Sequence, residues 1–185
     1  MTDANLLNNH HTAVTIETRG GRVFHYQSTS PDDVDIRDIA SALSKCCRFV
    51  GHCRRFYSVA EHSVYASYMV PEPFALRALL HDASEAYLSD IASPIKRQMP
   101  EYKAIEDILM AKISAKFELE PEFEKNPIIK KADMEMLKTE AYHLFDSKGA
   151  GWGIPEDLEM YTGVLHCYNP DAAEMLFMKR YKDLI

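Results

Sequence analysis

The stretch that decides the fold is Pro73-Phe74-Ala75-Leu76-Arg77-Ala78-Leu79-Leu80-His81-Asp82-Ala83-Ser84-Glu85-Ala86-Tyr87. Phe74, Leu76, Leu79, Leu80, Ala83 and Tyr87 recur at a helical period, so a helix is predicted through Tyr87. Pro71 and Pro73 separate it from what precedes, and a loop from Leu88 to Pro94 ends it. Asp82 sits among apolar neighbours, where a carboxylate is rarely buried without a partner. A carboxylate beside a histidine on such a face needs a counter-ion, and a metal supplies one.

Outward from this helix the pattern stays helical. Upstream, Ser58 with Glu61 three residues on predicts a capping box and a helix to about Val70. Ser30-Pro31-Asp32-Asp33 predicts an earlier helix start, followed by Ile36, Ile39, Ala40 and Leu43 at helical spacing. Arg48 to Tyr57 reads as a polar, aromatic and basic connector. Downstream, Tyr102 to Phe117 is a long amphipathic pattern, and Asn126-Pro127 opens a helix with Ile128, Ile129, Ala132, Met136 and Leu137 on its apolar face. Lys148 to Ile154 is a glycine-rich loop, and Asn169-Pro170 caps a last helix. Only Thr15 to Tyr26 alternates like strand, around Gly20-Gly21, which predicts a hairpin with a two-residue type I′ or II′ turn. The expected fold class is all-α, with a small N-terminal β-hairpin.

No linker or repeat divides the 185 residues, so one domain over 1–185 is expected. Hydrophobic residues at 46% and charged residues at 26% give a globular profile. The net charge of −7 argues against a surface that wraps a nucleic-acid polymer, though not against a nucleotide ligand, which needs only local cations. No apolar run approaches the ~20 residues that span a bilayer. Met1 to Val14 lacks the basic start and apolar stretch of a signal peptide, so a cytoplasmic location is expected, in the host if the chain is viral. Cys46, Cys47, Cys53 and Cys167 contain no C-x-x-C pair and read as reduced thiols that serve as small buried apolar residues.

Three segments carry metal-ligand residue types: Glu61-His62, His81-Asp82 and Ala132-Asp133. Two imidazoles and two carboxylates from three helices suit Fe, Mn, Co, Ni or Zn better than Ca. Glu61 has an adequate structural role as capping partner and is left out of the set.

At this point the residues resemble a known family. Leu80-His81-Asp82-Ala83-Ser84-Glu85, continuing to Asp90, Ser93-Pro94 and Lys96, is similar to the HD-superfamily phosphohydrolases, specifically the YfbR-like deoxynucleotidases. Upstream, Cys47-Arg48-Phe49, Gly51-His52 and Arg54-Arg55-Phe56-Tyr57-Ser58-Val59-Ala60-Glu61-His62 resemble its compact branch, which includes phage dATP triphosphohydrolases. The resemblance covers roughly Val23 to Leu144, and its ordered set H…HDxxE…D…SPxK…D is specific where a bare His-Asp pair would not be.

That resemblance implies an HD-type helical bundle with His62, His81, Asp82 and Asp133 as metal ligands and Glu85 as the catalytic glutamate. It implies Asp90 as a second acidic residue, assisting the reaction or binding a second ion such as Mg, and Arg48 and Lys96 as phosphate contacts. Homo-oligomers, dimeric or hexameric, are further implied, and the final helix (Met175, Phe177, Met178, Tyr181) offers either an interface or ordinary core. No GYP motif accompanies the doublet, which sets cyclic-dinucleotide phosphodiesterases aside.

The expected mechanism follows. Glu85 lies four residues after His81, one helical turn, and serves as proton acceptor from water or donor to the leaving oxygen. Lys96, Arg48 and one of Arg54 or Arg55 hold phosphate oxygens; Phe49 and Pro94 wall a base or sugar pocket, or serve as core and turn. The expected substrate is a deoxynucleotide, first a triphosphate (dATP) giving deoxynucleoside and tripolyphosphate, with a deoxynucleoside 5′-monophosphatase as alternative. A non-catalytic metal-holding regulatory protein and a zinc-stabilised DNA-binding bundle are weaker readings.

Overall fold

The computed structural model describes residues 14–28 and 30–185. The leader reading of Met1–Val14 therefore lies almost wholly outside the described residues. The remainder is mostly helical, with eight α-helices and one two-stranded antiparallel hairpin among the described residues.

β1 (Thr15–Glu17) pairs with β2 (Val23–His25), Ile16 opposite Phe24. The turn differs from the two-residue primed turn expected. Gly21 N–H donates to Thr18 O at 2.9 Å and Thr18 N–H to Arg22 O at 2.8 Å, and of the two glycines only Gly21 has positive φ, at 73°. This is a three-residue loop closed by a left-handed glycine. Gly20 serves closeness instead: its N–H donates to Asp38 Oδ1 at 2.8 Å, and a Cβ there would meet that oxygen at 3.0 Å.

Pro31–Asp33 forms one isolated 3₁₀ turn capped by Ser30. The helix expected to start there begins later: α1 (Ile36–Lys45) is capped by the Asp35 side chain, which accepts from Arg37 N–H. α2 (Val59–Tyr68) is capped by Ser58 Oγ, which accepts from Glu61 N–H at 3.1 Å. It is buried from Val59 to Ser67, so it is the central helix and its polar residues must find partners inside. α1, α3 (Glu72–Leu80), α7 (Pro127–Leu144) and α8 (Pro170–Asp183) pack around it.

The stretch from Phe74 to Tyr87 is two helices rather than one. α3 ends at Leu80 and α4 (Glu85–Leu88) starts after four intervening residues. Between them, Ala83, Glu85 and Ala86 donate to Leu80, Asp82 and Ala83. These i→i−3 bonds tighten the chain into 3₁₀-like turns across His81-Asp82-Ala83-Ser84, and such tightening often marks a functional position. α5 (Ser93–Lys96) is a single short helix within the region read as loop and Ser-Pro turn, and α6 (Pro100–Lys116) follows.

The hydrophobic cluster joins Phe24 of the hairpin to Phe177 of α8 through Leu43, Val64, Leu79, Ile113 and Met136. Three expectations of burial are corrected here. Ile128 lies exposed, because the buried face of α7 is rotated toward Glu135, Thr139 and Glu140. The four cysteines, all free, are half-buried rather than core. On α8, Phe177 is core and Met175 points to solvent, so the apolar stripe divides between two faces. No helix among the described residues is long and apolar enough to cross a membrane.

Candidate metal centre

α2, the turn after α3, and α7 converge on one point. His62 Nε2 and His81 Nε2 lie 3.3 Å apart. Asp82 Oδ2 is 3.1 Å from His81 Nε2 and 3.6 Å from His62 Nε2. Asp133 Oδ1 is 3.3 Å from His62 Nε2 and 3.8 Å from His81 Nε2. The four expected ligands are thus brought together, and His62, His81 and Asp82 by themselves form a group able to hold a metal ion.

The opposite edges of both rings are already committed. His62 Nδ1 is 2.6 Å from Glu140 Oε1, and His81 Nδ1 is 2.7 Å from Ala78 O. A carboxylate or carbonyl can only accept, so each Nδ1 carries the hydrogen. In the neutral tautomers both Nε2 lone pairs then face each other and two carboxylate oxygens. The Asp82 and Asp133 oxygens each lie within 4 Å of both Nε2 atoms, and acceptors this close to them repel unless a cation sits among them. The donor set therefore fits a divalent ion of the nitrogen-and-oxygen type.

Without a metal, protons supply that positive charge. Burial pushes the His81 imidazole down, but Asp82 and Asp133 outweigh it and raise it to about 10. His62 is raised as well, with burial and Arg48 opposed by Glu140 and Asp133. Asp82 and Asp133 are held below the usual carboxylate range: burial would raise both, and the two histidines override it.

Glu85 behaves differently. It is 8% exposed, and its Oε2 has no hydrogen-bond partner among the described residues. Burial first, then the Asp82 and Asp90 charges, push its carboxyl well above the usual range against Arg48 and Lys96. Asp90 is also raised, chiefly by burial, while Arg48 pulls it down. Glu85 lines an open groove of about 380 Å³ with Lys45, Cys46, Tyr87 and Ser89.

The other expected contacts have partners of their own. Arg48 holds Glu140 through Nε at 3.1 Å and Nη2 at 3.0 Å, with Nη1 3.6 Å from Asp82. Lys96 is paired with Glu106. Arg54 bonds Asp146 at 2.6 Å and His143 O at 3.0 Å, and Arg55 bonds His166 O at 2.9 Å. Phe49 packs edge-on against Phe145 at 5.0 Å and beside Trp152 at 5.8 Å, and Pro94 is exposed on α5. Neither Phe49 nor Pro94 lines the groove beside Glu85.

The connector carrying Arg48 is strained. Phe49 and Val50 have φ of 58° and 55°, followed by Gly51 at 78°. A β-branched residue in the left-handed region is a genuine outlier, and such strain persists only where surrounding structure imposes it.

Two carboxylates were misjudged from sequence. Glu61 does not reach back to close a capping box. Its carboxylate accepts from Tyr65 OH at 3.0 Å and from the backbone N–H groups of Cys167 at 2.9 Å and Tyr168 at 2.8 Å, which anchors the approach to α8. Glu140, fully buried beside His62, was not foreseen. Its signal was its place seven residues after Asp133, on the same face of α7.

These features define the class: a mostly helical protein with a candidate metal centre at His62, His81 and Asp82, with Asp133 beside them. No family model matches the chain. It is 42% identical over 172 residues to the protein YfdR of Escherichia coli (strain K12), described as uncharacterized, covering 91% of this chain and 94% of that protein. It is 34% identical over 134 residues to an uncharacterized protein of Rhodobacter capsulatus, covering 65% of this chain and 68% of that one. The chain belongs to the YfdR family.

Proposed function

We propose that the protein is an HD-type, divalent-metal-dependent phosphohydrolase acting on a deoxynucleotide at the phosphorus bonded to the nucleoside. One observation carries this reading: two imidazole Nε2 atoms 3.3 Å apart, their Nδ1 edges committed to acceptors, aimed with two carboxylates at one point. His62, His81, Asp82 and Asp133 would hold the ion. When bound, Fe, Mn, Co, Ni or Zn lowers the pKa of water and polarises a phosphoryl oxygen.

The remaining chemistry belongs to side chains. Glu85, its carboxyl pushed well above the usual range by burial and by Asp82, can give its proton to the nucleoside oxygen as the phosphorus–oxygen bond breaks. In its ionised form it can take the proton of the attacking water. Asp90 assists, or contributes to a second ion such as Mg. Arg48, whose Nη1 lies 3.6 Å from Asp82, would offset negative charge on the phosphate. The open groove beside Glu85 is the face from which the deoxynucleotide would approach.

A triphosphate such as dATP is the first substrate proposed. The monophosphatase reading gains from one observation: Lys96, Arg54 and Arg55, the cations expected to hold outer phosphates, already have protein partners. Incubating Co²⁺- or Mn²⁺-loaded protein with dATP and with dAMP separates the two. Deoxyadenosine with tripolyphosphate from dATP is the expected result. Turnover of dAMP alone selects the monophosphatase, and no metal-dependent turnover of either removes the hydrolase.

A further inference from the structure

The two histidines of the centre are supported by different means. His81 Nδ1 donates to a neutral carbonyl of its own helix, Ala78 O at 2.7 Å. His62 Nδ1 donates to a fully buried carboxylate 78 residues away, Glu140 Oε1 at 2.6 Å. The other oxygen of that carboxylate takes two nitrogens of Arg48. If fixing a ring were the whole task, a neutral acceptor would do it, as at His81. A buried carboxylate is costly, and it requires a buried guanidinium to balance it.

What the charge adds is basicity: an imidazole whose far nitrogen donates to a carboxylate becomes a stronger metal ligand and is held in one tautomer. The same carboxylate fixes the guanidinium whose Nη1 lies 3.6 Å from Asp82, so one residue sets the position of a ligand and of a neighbouring cation. We propose that Glu140 is a positioning residue for the metal centre, strengthening His62 as a ligand while holding Arg48 in register with it. This rests on the metal-centre reading above.

Purified wild-type, E140Q, R48M and R48M/E140Q proteins are titrated with Co²⁺, followed by calorimetry and by the visible absorption of the bound ion. The E140Q step lowers Co²⁺ affinity 10–100-fold, the range roughly typical for outer partners of metal ligands, and perturbs the absorption band. The same step costs as much between R48M and R48M/E140Q. The double variant removes both charges of a buried pair, so it folds even where E140Q leaves Arg48 unpaired. A cost that disappears in the R48M background would mean that Glu140 serves only to neutralise Arg48, and would overturn the proposal. Wild-type protein that binds no Co²⁺ would remove the metal-centre reading itself, and this inference with it.

Discussion

On the His62 side of the centre the charged groups are tied to one another: Nδ1 by Glu140, both Glu140 oxygens by His62 and Arg48, and the Arg48 backbone N–H by Tyr57 O at 2.9 Å. On the Glu85 side, a few residues away, Glu85 Oε2 has no partner among the described residues, and burial with like charge pushes both Glu85 and Asp90 up. The first arrangement holds still. The second stores unfavourable electrostatics, which is how a carboxyl becomes a usable acid or base near neutral pH. Under the proposed function, the contrast separates residues that would build the centre from residues that would act in it.

Substitution of His81 by alanine gives the largest effect, because it removes a ligand that faces all three others. Metal binding is lost, and hydrolysis falls by more than the roughly 10²–10³-fold that a single electrostatic stabiliser supplies; metal analysis and a phosphate-release assay check both. Glu85→Gln comes next and breaks the contrast if it fails. Turnover falls by about 10²–10⁴-fold, as for loss of a general acid or base, while Co²⁺ affinity is kept. Glu140→Gln on the other side does the reverse, changing affinity first.

Protonation gives a further separation. The metal-free protein holds His81 at about 10, above its ordinary value near 6.5, so the stability from this group is complete below that ordinary value and is lost as pH rises through 10. Asp82 and Asp133 are depressed, so their contribution is present above the ordinary carboxylate range and is lost on acidification. Thermal melts of metal-free protein are expected to decline at both ends. Metal competes with the imidazole protons, so apparent Co²⁺ affinity falls by about tenfold per pH unit for each proton displaced.

The smallest effect concerns the connector beneath the His62 side. Val50 is exposed yet left-handed, so Val50→Gly relieves strain without losing burial. Part of the gain is offset by the entropy of a more flexible unfolded chain. Chemical denaturation should show stabilisation of about 1 kcal/mol, with no change in metal affinity.

The helices, and the four side chains that meet between them, were legible because both are written in local spacing and residue type: caps at Ser58, Asn126 and Asn169, apolar periods between them, and His and Asp at ordered intervals. The break after Leu80 was not, because the apolar period runs on through Ala83 and Tyr87 while the backbone tightens under His81. Glu61 matched a capping box locally, but burial of α2 turned its carboxylate to the N–H groups of Cys167 and Tyr168, more than 100 positions distant. Glu140 depends on α7 meeting α2, a contact that no local pattern specifies. Phe49, Arg54, Arg55 and Lys96 were chosen by type and order, and their partners Phe145, Asp146, His166 and Glu106 could be seen only in three dimensions.

The most direct test of the account counts metal. Calorimetric titration with Co²⁺ at neutral pH should show one ion bound per chain in the wild-type protein and none in a His62→Ala/His81→Ala variant that remains folded. Binding that survives loss of both histidines, or no binding by the wild-type protein, would contradict it.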